Sequence, residues 1–182
     1  RYNDGNGSNS GHVRIYDWKF GPTIDDPTLE WTKRGNDIYG EASGDYSGKS
    51  VSLSADGQTL AIGAAGNDGN GSQSGHVRIY SWTGSAWSKL GADIDGEAVG
   101  DNSGYSVSLS ADGQTVAIGA VYNDGNGSNS GRVRIYSWNG SSWSQLGADI
   151  DGEAADDRSG YSVSLSADGQ TVAIGAPYAL YN

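Results

Sequence analysis

The chain contains no cysteine and no methionine, a single phenylalanine and three prolines among its 182 residues. Without cysteine there are no disulfides, thiolate metal sites or cysteine nucleophiles, so packing must hold the fold. Without methionine, Arg1 is no translation start, and the chain reads as a processed product or a fragment. Positive charge is scarce too: 11 Lys and Arg stand against 22 Asp and Glu, a formal net charge of −11. Such a surface repels phosphate backbones and anionic headgroups, so nucleic acid is not expected as a partner. No apolar run approaches the roughly 20 residues a spanning helix needs, membrane insertion is not expected, and no secretory leader is legible.

What is abundant is glycine, 30 residues, beside a hydrophobic fraction of only 35%. That balance suits short strands and tight turns rather than long helices. The dominant feature is internal repetition. "SADGQT" begins at Ser54, Ser110 and Ser166, a constant step of 56 residues, and "VRIY" begins at Val13, Val77 and Val133, with steps of 64 and 56. The extra eight lie between Trp18 and Trp31, where "KFGPTIDDPTLE" replaces the four-residue "TGSA" and "NGSS".

Each unit reads as four strands. "YSVSLSA" alternates small polar and aliphatic residues, "ADG" turns the chain, and "TVAIGA" follows as a nearly continuous apolar strand. The Asp-Gly pair supplies the positive φ of a tight hairpin. An Asn/Gly/Ser loop leads to "HVRIYSW", with Val77, Ile79 and Ser81 on one face and His76, Arg78, Tyr80 and Trp82 on the other, and "WSKLGADI" is the fourth strand. No stretch carries a capped 3.6-residue period, so the fold is expected to be all-β. Four antiparallel strands in about 56 residues match a β-propeller blade, and a β-solenoid rung, at roughly 20 to 30 residues, is too short.

The phase of the repeat predicts one repeat domain over 1–182. It begins with strands three and four of a split blade over about 11–40, followed by whole blades over about 46–97 and 104–153. Strands one and two of the split blade follow over about 160–178. A three-blade ring would be strained, since propellers run from four to eight blades. Three arrangements stay open: two chains closing a six-blade ring, successive chains exchanging half-blades, or a piece of a longer array.

"GYSVSLSADGQTVAIGAPY" at Gly160 to Tyr178, with "SGHVRIYSW" at Ser74 to Trp82, resembles the FG-GAP repeat of integrin α-chain-type β-propellers. Gly104-Tyr105 and Gly160-Tyr161 stand near the Phe-Gly position, Gly48-Lys49 departs from it, and "GAP" occurs once, at Gly175 to Pro177. The resemblance implies an extracellular or cell-surface adhesion module. Many blades of that family carry an Asp-rich calcium loop between strands one and two. Here that connection holds one carboxylate, Asp56, Asp112 or Asp168, too few for a cation that wants six to eight oxygens.

The loop after strand two and the link from strand four to the next blade should share one face. They gather Asp4, Asp68, Asp124, Glu41, Glu97, Glu153, Asp45, Asp101 and Asp157 there. No cofactor is required, but calcium is a candidate through Asp68, Asn70, Asp124, Asn126, Glu97 and Asp101. The competing reading is that Asn, Asp, Gly and Ser are there as turn formers. Asn6, Asn70, Asn126 and Asn139 each begin an Asn-Gly-Ser tripeptide and are candidate glycosylation sites. Asp93, Asp95 and Glu97, repeated as Asp149, Asp151 and Glu153, read either as a glycosidase carboxylate set or as a charged outer strand.

The tryptophans recur in pairs, Trp18 with Trp31, Trp82 with Trp87 and Trp138 with Trp143, and suit cross-strand packing or stacking on sugars. The insertion, with Pro22, Asp25, Asp26 and Pro27, is a candidate interaction loop. No asymmetric set of nucleophile, base and orienting group is legible, so an enzyme is not expected. The expected role is an extracellular structural or adhesive module, with a lectin as the alternative. The expected partners are other copies, neighbouring repeats of a longer chain, glycans or extracellular proteins.

Overall fold

In each "SADGQT" the serine and aspartate side chains close the turn themselves. Ser54 Oγ donates to Asp56 Oδ1 (2.6 Å), Gln58 N donates to the same oxygen (2.9 Å), and Thr59 N donates to Ser54 Oγ (2.9 Å). The same bonds recur around Asp112 and Asp168. These contacts, the serine hydroxyl first and the backbone N–H second, hold all three carboxyls below their ordinary pKa. The one carboxylate of the turn is therefore a structural acceptor.

The computed structural model describes residues 5–20 and 28–179, and these hold only β-strands and turns. The first half-blade comprises β1 (His12–Val13), β2 (Tyr16–Phe20), β3 (Leu29–Lys33) and β4 (Ile38–Tyr39). The first whole blade is β5 (Ser47–Leu53), β6 (Thr59–Ala64), β7 (His76–Trp82), β8 (Trp87–Lys89) and β9 (Ile94–Asp95). The second is β10 (Ser103–Leu109), β11 (Thr115–Ala120), β12 (Arg132–Trp138), β13 (Trp143–Gln145) and β14 (Ile150–Asp151). A last half-blade follows as β15 (Ser162–Leu165) and β16 (Val172–Gly175). Pairing is antiparallel in the order β5-β6-β7-β8 and β10-β11-β12-β13, and β15 pairs with β16, β2 with β3 and β1 with β4. The chain is all-β, built of β-propeller-type blades of four antiparallel strands, three blades' worth with one blade split between the ends of the chain.

The expected fourth strand is broken in two, β8 and β9, both paired with β7. The break falls at Gly91, which takes φ +82; a Cβ there would lie 2.8 Å from the Trp138 ring of the next blade. The chain leaves the strand so that the neighbouring tryptophan can fit. The insertion prolongs the β2–β3 hairpin, where Lys19 pairs with Glu30 and Phe20 with Leu29. Its candidate contact residues Pro22, Asp25, Asp26 and Pro27 lie outside the described residues.

The alternation in "YSVSLSA" serves two neighbours at once. Val107 and Leu109 pack back onto Ala61, Val77 and Ile79 of the preceding blade. On the other face, Ser106 Oγ donates to Gly160 O (2.7 Å) and Ser108 Oγ accepts from Leu165 N (2.9 Å) in the following one. Ser50 and Ser52 do the same one blade earlier. Strand two is buried at every position of β6, hence its unbroken apolar run. Leu60 and Ile62, the two large aliphatic side chains buried in this strand, contribute about 1.5–3 kcal/mol each.

Candidate functional site

The loops after strand two are tied down by their own polar groups. Asn67 Oδ1 accepts from Gly69 N (2.8 Å), and Asp68 Oδ1 accepts from Gln73 N (2.7 Å). Asn70 Nδ2 reaches across to the link after strand four, donating to Gly96 O (2.8 Å) and Glu97 O (3.1 Å). In the next blade Asp124 Oδ1 accepts from Asn129 N (2.7 Å) and Asn126 Nδ2 donates to Gly152 O and Glu153 O, while Asn6 Nδ2 donates to Gly40 O (2.8 Å). Loop and link therefore share one face, as their positions in the repeat imply.

On the link, Asp45, Asp101 and Asp157 are buried with their carboxylates turned inward. Asp45 accepts from Glu41 N and Ala42 N, Asp101 from Ala98 N and Asn123 Nδ2, and Asp157 from Ala154 N. Glu97 pairs with Arg132 and lies 3.6 Å from Arg134. All six candidate calcium ligands thus have protein partners. The candidate glycosylation sites Asn6, Asn70 and Asn126 hold the loop-to-link bonds through Nδ2. Asn139 caps an exposed hairpin turn, its Oδ1 accepting from Ser141 N and Ser142 N.

Among the described residues, Glu41, His76 and Asp93 form the one set of such side chains that converges closely enough for a metal. Arg78 already bonds both carboxylates, meeting Asp93 through two N–H groups at 3.0 and 2.9 Å, and Lys89 joins Asp93 at 2.8 Å. Burial pushes Asp93 up, but the bonds from Arg78 and Lys89 outweigh it and hold the group at about 2. Burial, and then the Arg78 charge, lowers His76. This is an ion-pair cluster joining Glu41 of one link to the next blade. Asp93 is thus partnered to cations and not to Asp95 or Glu97, which is the arrangement of a charged strand.

Two of the three tryptophan pairs are wedged between blades. The rings of Trp82 and Trp87 lie 5.4 Å apart, and those of Trp138 and Trp143 5.5 Å apart. Trp87 Nε1 donates to Arg34 O (3.1 Å) and Trp143 Nε1 to Leu90 O (2.9 Å), each in the preceding unit. Trp18 and Trp31 make the same pair at 5.4 Å but remain open to solvent.

A cavity of about 610 Å³ opens on the loop face, its wall formed by Asn9, Tyr46, Lys49, Asn102, Tyr105 and Tyr122 together with backbone at Gly11 and Gly48. None of these side chains stands out as a motif. Their signal lies in a comparison of the repeats, because the wall draws on positions where otherwise near-identical units differ. Tyr46 corresponds to Asn102 and Arg158, Lys49 to Tyr105 and Tyr161, and Gly66 to Tyr122 and Tyr178.

The FG-GAP repeat family matches this sequence at residues 40–80 and 88–136. No curated protein matches it. Among solved structures, the periplasmic gluconolactonase PpgL of Pseudomonas aeruginosa aligns with 14% identity and a TM-score of 0.48 over 89% of this chain. The alignment covers 46% of that protein, so the chain spans about half its length.

Proposed function

The chain belongs to the FG-GAP repeat family, and from that premise we propose that it is a non-enzymatic, extracellular or cell-surface interaction module that assembles by joining half-blades. The observation that carries this reading is the match between its two open edges. Among the described residues, β16 and the β1–β2 arm each lack a strand on the side where β11 and β12 pair. The flanking side chains match as well. Val51 and Leu53 are 53% and 48% exposed, while their equivalents Val107 and Leu109 are 8% and 7% exposed. Gly147 faces open space where Gly35 and Gly91 are covered by tryptophans, and Glu153 has no cation among the described residues, whereas Glu41 and Glu97 do.

A second copy, or a neighbouring repeat, satisfies all of these together. With the register of β11 on β12, Ala117 opposite Ile135 and Ile118 opposite Arg134, Ala173 meets Ile15 and Ile174 meets Arg14 of the partner. Trp18 and Trp31 then cover Gly147, and Arg14 approaches Glu153. Mass in solution tests this: a concentration-dependent series of multiples supports joining between copies, and a monomer at all concentrations rejects it.

The second reading is a lectin, favoured by the tyrosine-lined cavity. A calcium proposal for the loop face competes with the hydrogen bonds of Asp68, Asn70, Asp124, Asn126 and Asp101 and with the ion pairs of Glu97. Calorimetric titration after chelation decides it, since a binding heat at millimolar calcium supports it and none sinks it. Glycans at Asn6, Asn70, Asn126 or Asn139 are tested by intact mass before and after glycosidase treatment, an unchanged mass rejecting them.

A further inference from the structure

We infer that the cavity on the loop face, with the tyrosine band beside it, is a binding site for an anionic saccharide. Charge placement is the first argument. Acids outnumber bases two to one in this chain, and among the described residues eight Lys and Arg side chains lie within 4.0 Å of a carboxylate. Among the described residues, Lys49 and Arg158 alone have no carboxylate partner. Both rest on tyrosine rings instead: Lys49 Nζ lies 4.2 Å from the centroid of Tyr105, and Arg158 Cζ lies 4.5 Å from Tyr178 and 5.3 Å from Tyr122. Tyr105 and Tyr161 are 5.2 Å apart and Tyr161 and Tyr178 6.2 Å apart, so the two cations bracket one continuous aromatic band.

Backbone strain supplies the second argument. Tyr46, Asn102 and Arg158 occupy the same position of the repeat at φ +53, +55 and +54. The left-handed region suits Gly or Asn and costs other L-residues about 1–2 kcal/mol. Stability alone would place Asn there in every repeat, as in the second. The Arg158 Nε is also shielded from water without a hydrogen-bond acceptor, a further cost of about 1–3 kcal/mol. Tyr46 in the cavity wall and Arg158 on the tyrosine band beside it are thus held against the preference of the scaffold, which is how strain is distributed at functional sites.

The ligand class follows from the shape and the charges. The cavity falls within the roughly 300–1,000 Å³ of small-ligand sites. The tyrosine rings are tilted by 49° and 74° to one another. They form no parallel slot for a flat base, but they offer faces to the C–H surfaces of sugar rings. The two cations call for carboxylate or sulfate groups on those sugars. The link carboxylates Asp45, Asp101 and Asp157 are buried and accept backbone N–H groups of their own turns, Asp101 also Asn123 Nδ2, and none of them pairs with Lys49 or Arg158. The net charge of −11 disfavours dense polyanions at long range, but screening over about 8 Å leaves contact chemistry to decide. The site goes beyond the interaction-module reading and does not depend on how blades join, because a chain that stays monomeric still presents it.

The test is calorimetry on the 182-residue chain with three probes: trigalacturonate, its neutral methyl ester and a sulfated disaccharide. Trigalacturonate is expected to bind at least about tenfold more tightly than its ester, the range of one charge-assisted hydrogen bond. The sulfated probe separates a carboxylate preference from a general anion preference. Arg158→Asn and Lys49→Tyr replace each cation with the residue another repeat carries at that position, so the fold tolerates both. Each is expected to weaken binding about tenfold or more, and Arg158→Asn is expected to keep or raise the melting temperature by relieving the strained φ. Equal affinity for acid and ester, unchanged affinity in both variants, or no binding of either anionic probe at millimolar concentration would overturn the inference.

Discussion

Replacing Trp31 with alanine should dissociate the joint while leaving each blade folded. Trp31 is 66% exposed and stacks on Trp18, whereas its equivalents Trp87 and Trp143 are half-buried against the preceding unit. Docking at an equivalent joint therefore removes on the order of 100 Å² of indole from water, about 2.5 kcal/mol at ~25 cal/mol/Å². The indole N–H gains the carbonyl of Leu146, the counterpart of Arg34 and Leu90, for about 1 kcal/mol more. A loss of about 3.5 kcal/mol weakens association by roughly several hundredfold. The free chain loses only the Trp18 stacking, about 0.5–1.5 kcal/mol. Sedimentation velocity over a concentration series, beside a thermal melt, separates the two effects. Gly147→Ala is a companion: at φ +78 it strains the free chain by about 1 kcal/mol, read in the melt, and its Cβ meets nothing there, yet at the joint it would also meet the incoming tryptophans and weaken association further. An unchanged association constant in Trp31→Ala would refute the packing argument.

Two further outcomes follow from the ion pairs and loop bonds. Asp93 has its folded pKa lowered from 3.8 to about 2, so its stabilising contribution is complete above the unfolded value and is lost as pH falls toward 2. Asp93→Asn should therefore cost about 1 kcal/mol at pH 7, after allowance for solvent screening, and flatten the loss of stability between about pH 4 and 2 in acid-unfolding curves; an unaltered acid limb would contradict the pairing with Arg78 and Lys89. Asn126→Ala removes the bonds to Gly152 O and Glu153 O and should lower stability by about 1 kcal/mol in urea titration, with faster amide exchange in the loop after β11; a variant indistinguishable from the parent would remove the loop-to-link tie.

Much of this architecture is legible in the amino-acid order. Asp-Gly within "SADGQT" marks a hairpin whatever surrounds it, because the positive φ and the aspartate acceptor are local. The buried run of β6 and the alternation of β5 and β10 are local signals too. The break between β8 and β9 is not, since Gly91 leaves the strand to admit a tryptophan 47 residues later in the chain. The serines of β5 and β10 read only as the polar half of an alternation, yet their partners are backbone groups one blade away. For the candidate site the limit is sharper. The Asn/Gly/Ser loop draws attention by repetition, and repetition marks what the scaffold needs. Tyr46, Lys49 and Arg158 are where the repeats disagree, and position-by-position comparison of the units is what brings them out.

A cysteine-free chain allows a clean test of half-blade joining, because any disulfide must come from introduced residues. In the whole blade Ile118 pairs with Arg134, so joining places Ile174 opposite Arg14 of the next copy. Under mild oxidation, Arg14→Cys with Ile174→Cys should yield covalent multimers, while Arg14→Cys with Val172→Cys, two residues out of register, should not. Monomer alone from the in-register pair, or equal cross-linking from both pairs, would contradict the account.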